Sequence, residues 1–349
     1  MKPLLAIAVV AIAVVTCVPA SGAPTGSFVD VSPTWAPKGT LIAFWRYGYS
    51  LTVVEGGMFV IDSRGGEPRR VVADPNARWP SWSPDGEMIT YATETNAGSI
   101  QRVGLDGSGK RRLSGKLQGY MSFPQWSPDG KRIAFHRGVY RRSHRRWRWY
   151  GELWIVNPDG TRLRRVAANV PFNAGSEPVP FSWSPGSDRL VYSGVQNGVR
   201  DLWTARIDGR RQRLLRSRIF DSAPVWSPDG KRIAFTGKET NQARIYVLTL
   251  AGRKLLDVGA GLRPRWDPSG QRLAFIGTSA GVGVYVTTVG TGTAEKLLAS
   301  NQGSDVPQWA PDGNALVVAA YGECVSRGTG IYIIRAGATP TRLTNPCGP

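Results

Sequence analysis

The sequence holds 349 residues, with 44 Lys and Arg against 25 Asp and Glu for a formal net charge of +19, and 2 His. A chain of this length exceeds what one hydrophobic core fills, so its core must be divided. Two histidines without grouped acids leave no convincing metal site, His136 and His144 making at most a thin version of a histidine-rich centre, and the basic excess would draw polyanions in a salt-dependent way.

Met1 to Ala23 reads as a secretory signal. Lys2 supplies a positive start, Leu4 to Val18 is an apolar run, and Ala20, Ser21, Gly22 and Ala23 offer cleavage sites. The run is short for a membrane span. Cys17 would permit lipidation, but Thr16 stands where a small residue is preferred. The chain is therefore expected to be exported, to the periplasm, the cell envelope or the medium, with residues 24–349 as one domain and no transmembrane segment in the mature chain.

From there a single pattern recurs. Pro80-Ser81-Trp82-Ser83-Pro84-Asp85-Gly86 returns as Pro124-Gln125-Trp126-Ser127-Pro128-Asp129-Gly130 and as Pro224-Val225-Trp226-Ser227-Pro228-Asp229-Gly230. Weaker copies centre on Trp35, Trp183, Trp266 and Trp309, and successive tryptophans lie 47, 44, 57, 43, 40 and 43 residues apart. A period of this length marks a repeat architecture. Each copy predicts a hairpin: a strand ending at the Trp, a turn in which Pro presets φ and Gly takes the positive φ, then a second strand. That strand carries Ile42/Phe44, Ile89/Tyr91, Ile133/Phe135 or Ile233/Phe235 two apart on one face. A third strand follows (Leu153-Trp154-Ile155-Val156, for example), and then a short basic fourth (Arg69-Arg70, Arg111-Arg112, Arg213-Leu214). Seven repeats of four antiparallel strands give an all-β protein, a seven-bladed β-propeller. Arginines on outer edge strands would also discourage edge-to-edge pairing between molecules.

The longest departure is His136 to Tyr150, with six arginines, two histidines, four aromatic residues and no acid. Guanidinium groups suit anions, and aromatic faces stack bases or sugars. Arg141, Arg142, Arg145, Arg146, Trp147, Arg148 and Trp149 are the candidate ligand-binding residues. The alternative is a solvated hairpin whose aromatics cover its own blade. Arg78, Asp221, Arg263 and Asp305 precede Trp hairpins and are candidates for the channel mouth. Near the C-terminus, a disulfide between Cys324 and Cys347, which an exported compartment permits, would pin the tail to the last blade; the alternative is two unpaired thiols.

These motifs resemble the TolB-like propeller repeat family, over about residues 29 to 344. The three best copies carry the whole P-x-W-S-P-D-G-x-x-I-x-aromatic pattern. The count here is seven, against six blades in the family's namesake, and no stretch is left for its separate N-terminal domain.

Catalytic constellations are wanting. Gly277-Thr278-Ser279-Ala280-Gly281 matches a nucleophile elbow, but both histidines precede it. Gly104 to Lys110 is followed by Arg111 where a phosphate loop needs Ser or Thr. The sequence thus predicts a non-catalytic, monomeric binding module without cofactor or nucleic-acid motif. It would use the variable loops between strands two and three and between repeats to meet a cell-envelope protein or an anionic polymer. The alternative is a carbohydrate-active lyase or hydrolase working at the channel mouth.

Overall fold

The computed structural model describes residues 27–344 apart from 50–55, 96–97, 144–145, 173–178, 216–219, 240–241, 278–280, 300–304 and 322–328. The side chains of Ser27, Tyr49, Arg142, Ser143, Arg146, Trp147, Phe220, Asp221, Glu239 and Tyr321 are also undescribed. The signal sequence, Cys17, Cys324 and Cys347 therefore lie outside the described residues, as does most of the elbow-like match.

The chain is all β. The first sheet is β1 (Ser27–Trp35), β2 (Leu41–Tyr49), β3 (Gly56–Asp62) and β4 (Arg69–Val72). The second is β5 (Ala77–Trp82), β6 (Met88–Thr93), β7 (Ser99–Gly104) and β8 (Arg111–Arg112). The third is β9 (Tyr120–Trp126), β10 (Ile133–Ser143), β11 (Arg146–Val156) and β12 (Arg164–Val170). The fourth is β13 (Phe181–Trp183), β14 (Arg189–Gln196), β15 (Val199–Arg206) and β16 (Arg211–Leu215). A seven-stranded sheet follows: β17 (Phe220–Trp226), β18 (Arg232–Glu239), β19 (Gln242–Thr249), β20 (Lys254–Trp266), β21 (Arg272–Gly277), β22 (Gly283–Thr288) and β23 (Ala294–Ala299). The last is β24 (Gln308–Trp309), β25 (Ala315–Tyr321), β26 (Thr329–Arg335) and β27 (Thr341–Arg342). The seven-stranded sheet arises because β20 is one unbroken strand. Lys254–Ala260 pairs back to β19 and Gly261–Trp266 pairs forward to β21.

The repeated turn has a chemical lock. The Ser83 hydroxyl donates to Asp85 Oδ1 at 2.5 Å, and the Met88 amide donates to Ser83 Oγ at 2.9 Å. The Ser83 hydrogen bond, with that of the Glu87 amide, holds the Asp85 carboxyl below its usual range. Ser127/Asp129 and Ser227/Asp229 repeat the arrangement. Gly86, at φ +78°, takes a left-handed conformation that a side chain resists, and lies against Pro37 of the preceding sheet's turn.

The tryptophans join successive repeats. The indole N–H of Trp82 donates to the Thr34 carbonyl (3.1 Å), Trp183 to Gln125 (3.1 Å), Trp266 to Val225 (3.3 Å) and Trp309 to Arg265 (3.1 Å). Each acceptor is the residue just before the Trp of an earlier repeat. The divided core follows: apolar clusters sit between successive sheets, such as Met58, Val60, Ile89 and Tyr91. The stack closes on itself through Trp35, Ile42, Phe44 and Ile61 against Val317, Ile331 and Ile333. Gly39 lies beside Pro311, and the Thr329 hydroxyl donates to the Asp30 carbonyl at 2.7 Å. This closure is by packing, because the first and last sheets each use their own consecutive strands. A closed ring of antiparallel sheets is the arrangement of a β-propeller.

Among the described residues no helix is long and apolar enough to cross a membrane.

Candidate functional site

The serine–proline turns lie on one face of the ring. The hairpins joining second to third strands, the links between sheets and the starts of the inner strands lie on the other. On that second face the inner strands carry a recurring bulge. Ser32, Trp79, Phe123, Ala223 and Arg263, each three residues before its Trp, have φ between +53° and +59°. Each precedes a proline, which disfavours the right-handed helical region for the residue before it. Two residues of the inner strand there oppose one of its partner, as Trp79 and Pro80 oppose Tyr91 between Arg78 and Ser81. A left-handed non-glycine residue costs on the order of 1 kcal/mol or more.

Arg78 is ion-paired with Glu94, and its guanidinium lies 4.1 Å from the Trp45 ring centroid. The Tyr120 hydroxyl donates to Glu94 Oε1 at 2.5 Å. Burial pushes the Tyr120 phenol up to about 12, against the pull of Arg78, while burial lowers Arg78 itself. Asp305 is engaged differently: it accepts the Ser32 amide at 2.7 Å and the Val306 amide at 2.7 Å, and so helps close the ring. The Arg263 amide donates to Thr236 Oγ1 at 2.9 Å. Desolvation brings Arg265 down to about 10, with Arg263 adding to the effect and Asp305 opposing it. Asp221 lies on β17 with its side chain outside the described residues.

The basic insert is a continuation of β10 and β11, in register from Ile133↔Val156 to Ser143↔Arg146. The expectation that it lies wholly outside the repeat needs correction. His136 is buried, and the sheet proper extends to Gly138 and Gly151, where β9 and β12 stop pairing. Beyond them Val139–Ser143 and Arg146–Tyr150 form a two-stranded ribbon.

Strand alternation sorts the side chains. His136, Gly138 and Tyr140 share a face with Leu153, Gly151 and Trp149. Arg137, Val139 and Arg141 share the other with Glu152, Tyr150 and Arg148. The paired glycines form a notch for Phe172, since a Cβ on Gly138 would collide with its ring and one on Gly151 with the Val170 carbonyl and His136. Phe172 joins a strip of aromatic contacts. Tyr140 meets Trp149 at 5.2 Å, Trp149 meets Phe172 at 4.7 Å, Phe172 meets Tyr120 at 5.4 Å, and Tyr120 meets Trp79 at 6.2 Å between centroids. The strip runs from Trp79 to the ribbon, where Tyr140 is 53% and Trp149 42% exposed. On the other face the Arg141 guanidinium lies 4.4 Å from the Tyr150 centroid, and Arg141 and Arg148 are exposed.

Beneath the ribbon, Glu152 accepts from Arg137 (2.8 Å), Arg165 (2.8 Å) and Trp154 Nε1 (2.9 Å). Burial would raise its pKa, but these three donors hold it below the usual range. Desolvation takes His136 down to about 3, so it is neutral at physiological pH, and its Nε2 has no hydrogen-bond partner among the described residues.

Of the insert residues named from sequence, Arg141, Arg148 and Trp149 are thus placed. Arg145 and the side chains of Arg142, Arg146 and Trp147 lie outside the described residues. The sequence reading passed over Glu94, Tyr120, Glu152 and Phe172. One signal was available for Glu152: an acid two residues before a third-strand Trp recurs as Asp201-Leu202-Trp203, where Asp201 is buried beside Arg213. Among the described residues no three His, Cys, Asp or Glu side chains group closely enough to hold a metal ion.

No family model matches the chain. The Tol-Pal system protein TolB of Bordetella pertussis is 33% identical over 176 residues, covering 48% of this chain and 40% of that protein. The Tol-Pal system protein TolB of Anaeromyxobacter dehalogenans is 26% identical over 285 residues, covering 71% and 62%. A TolB homolog of Chlorobium luteolum is 28% identical over 160 residues, covering 44% and 35%, so the chain spans from a third to three fifths of these relatives' lengths. Among solved structures, the propeller domain of the Trilobed protease of Pyrococcus furiosus superposes with a TM-score of 0.68 at 14% identity, covering 93% of this chain and all of that one. That domain has an open velcro topology. TolB of Acinetobacter baumannii gives 0.55 at 17%, covering 83% and 68%. An oligogalacturonate lyase in complex with manganese gives 0.65 at 12%, covering 88% and 90%. At these identities the structural likeness speaks for the fold.

Proposed function

The chain carries TolB-like β-propeller repeats, and from that premise we propose an exported, non-catalytic binding scaffold of seven blades that meets a cell-envelope partner on its variable-loop face. Seven is supported by the seven Trp hairpins and by the two-way pairing of β20, which lets the seven-stranded sheet count as two blades. Export is supported by the apolar stretch after Lys2.

The observation that carries the binding reading is the aromatic strip from Trp79 to Tyr140, which ends in exposed rings on a projecting ribbon. Large exposed aromatics beside arginines are the usual anchors of recognition surfaces. The opposite face consists of short turns whose polar groups satisfy one another. Immobilised protein should retain a specific component from a native envelope extract. Tyr140→Ala combined with Trp149→Ala should reduce its retention at least roughly tenfold, the loss expected of hot-spot truncations. Undiminished capture by the double variant would refute this face as the binding surface.

A further inference from the structure

We propose that the ribbon formed by Val139–Ser143 and Arg146–Tyr150 docks peripherally on an anionic lipid bilayer, with its two faces held in the headgroup layer. This rests on the reading of the variable-loop face as a binding surface and names the partner. The first observation is geometric. β9 pairs with β10 as far as Gly138, and β12 pairs with β11 as far as Gly151, so among the described residues the five pairs from Val139↔Tyr150 to Ser143↔Arg146 have no third strand. An isolated two-stranded ribbon is marginal in water, and it gains from surroundings that order it.

The second observation is what the ribbon presents. Tyr140 and Trp149 form one cross-strand pair on one face, and Arg141 and Arg148 form the next pair on the other. Aromatic and cationic groups are thus displayed at nearly the same distance from the blade, but on opposite sides. A groove in a protein partner meets one side of a ribbon. The interfacial layer of a bilayer surrounds it and reads depth, and it is where tyrosine, tryptophan and arginine are favoured together. The composition fits that depth: Val139 is the sole aliphatic residue longer than alanine between His136 and Tyr150, too little for entry into the hydrocarbon. The same stretch has no acid, so anionic headgroups meet no opposing charge from it.

The test is cosedimentation of the purified protein with vesicles of phosphatidylcholine alone or with added phosphatidylglycerol, at low and high salt. Two variants are compared, Arg141→Ser with Arg148→Ser and Tyr140→Ala with Trp149→Ala, after circular dichroism has shown an unchanged fold. Binding to the phosphatidylglycerol vesicles should exceed that to neutral ones and fall with salt. The arginine variant should lose roughly tenfold or more, as expected for two cations near a charged surface. The aromatic variant should bind more weakly while keeping its salt dependence. Equal binding to both vesicle types, or variants that bind as wild type does, overturns the proposal. If vesicles are not bound while envelope capture still depends on Tyr140 and Trp149, the bilayer is wrong and the binding surface stands, with a protein partner in its place. If capture fails as well, both fall.

Discussion

Replacing Glu152 with alanine should lower the free energy of unfolding by about 3–5 kcal/mol, the cost of leaving a buried charge without its partner. The carboxylate is 4% exposed and holds Arg137, Arg165 and the Trp154 indole at once. Arg165 is half-exposed and can return to water, whereas the Arg137 side chain is 16% exposed and cannot do so freely. Most of the loss therefore comes from Arg137. Glu152→Gln, which keeps an acceptor for the indole, should cost less. Urea denaturation of the three proteins measures this, and a change below about 1 kcal/mol for the alanine variant would mean that Arg137 finds other solvation. The sign with pH follows from the cause. The folded-state pKa of Glu152 is depressed, so its contribution is complete above the ordinary carboxylate range and is lost as pH falls through that range and below it.

His136 should make the protein weaken in mild acid. In the unfolded chain it titrates at 6.5, and in the folded chain at about 3, because protonation would put a charge in the apolar space beside Phe172. Above about pH 6.5 both states hold a neutral ring and nothing is lost. As pH falls the unfolded state takes up the proton first, so stability drops steadily and is lower by about 2 kcal/mol near pH 5. The decline continues until the folded pKa is reached. His136→Gln should flatten the dependence between about pH 7 and pH 5, whatever it does to stability at neutral pH. Chemical denaturation at several pH values reads both, and an unchanged slope in the variant would assign the decline to other groups.

The repeat was legible because its residues act locally. The Ser-Pro-Asp-Gly turn carries its own hydrogen bonds, and the period of its Trp marks each inner strand, so the all-β reading follows from short-range chemistry. What the tryptophans bind was not legible, since Trp82 donates to Thr34, 48 positions earlier. The insert was visible as a run of arginine and aromatic residues. Its division into two faces could have been read from Tyr140-Arg141 and Arg148-Trp149, which alternate with a strand's period of two. The Arg78–Glu94–Tyr120 cluster was harder. Arg78 was singled out alone, but its partner Glu94 follows the next strand, and Tyr120, which completes the set, belongs to the next sheet. Phe172 lies in a link between sheets, where nothing in the repeat pattern foretells that it fills the notch at Gly138 and Gly151.

Hydrogen exchange of the protein alone and in the presence of native envelope extract tests most directly which face does the binding. Added envelope should slow exchange in Tyr120–Phe123 and in the ribbon from Val139 to Tyr150, and leave the turns Ser83–Glu87, Ser127–Lys131 and Ser227–Lys231 unchanged. Protection confined to those turns, with the ribbon exchanging as it does in the free protein, would contradict the account.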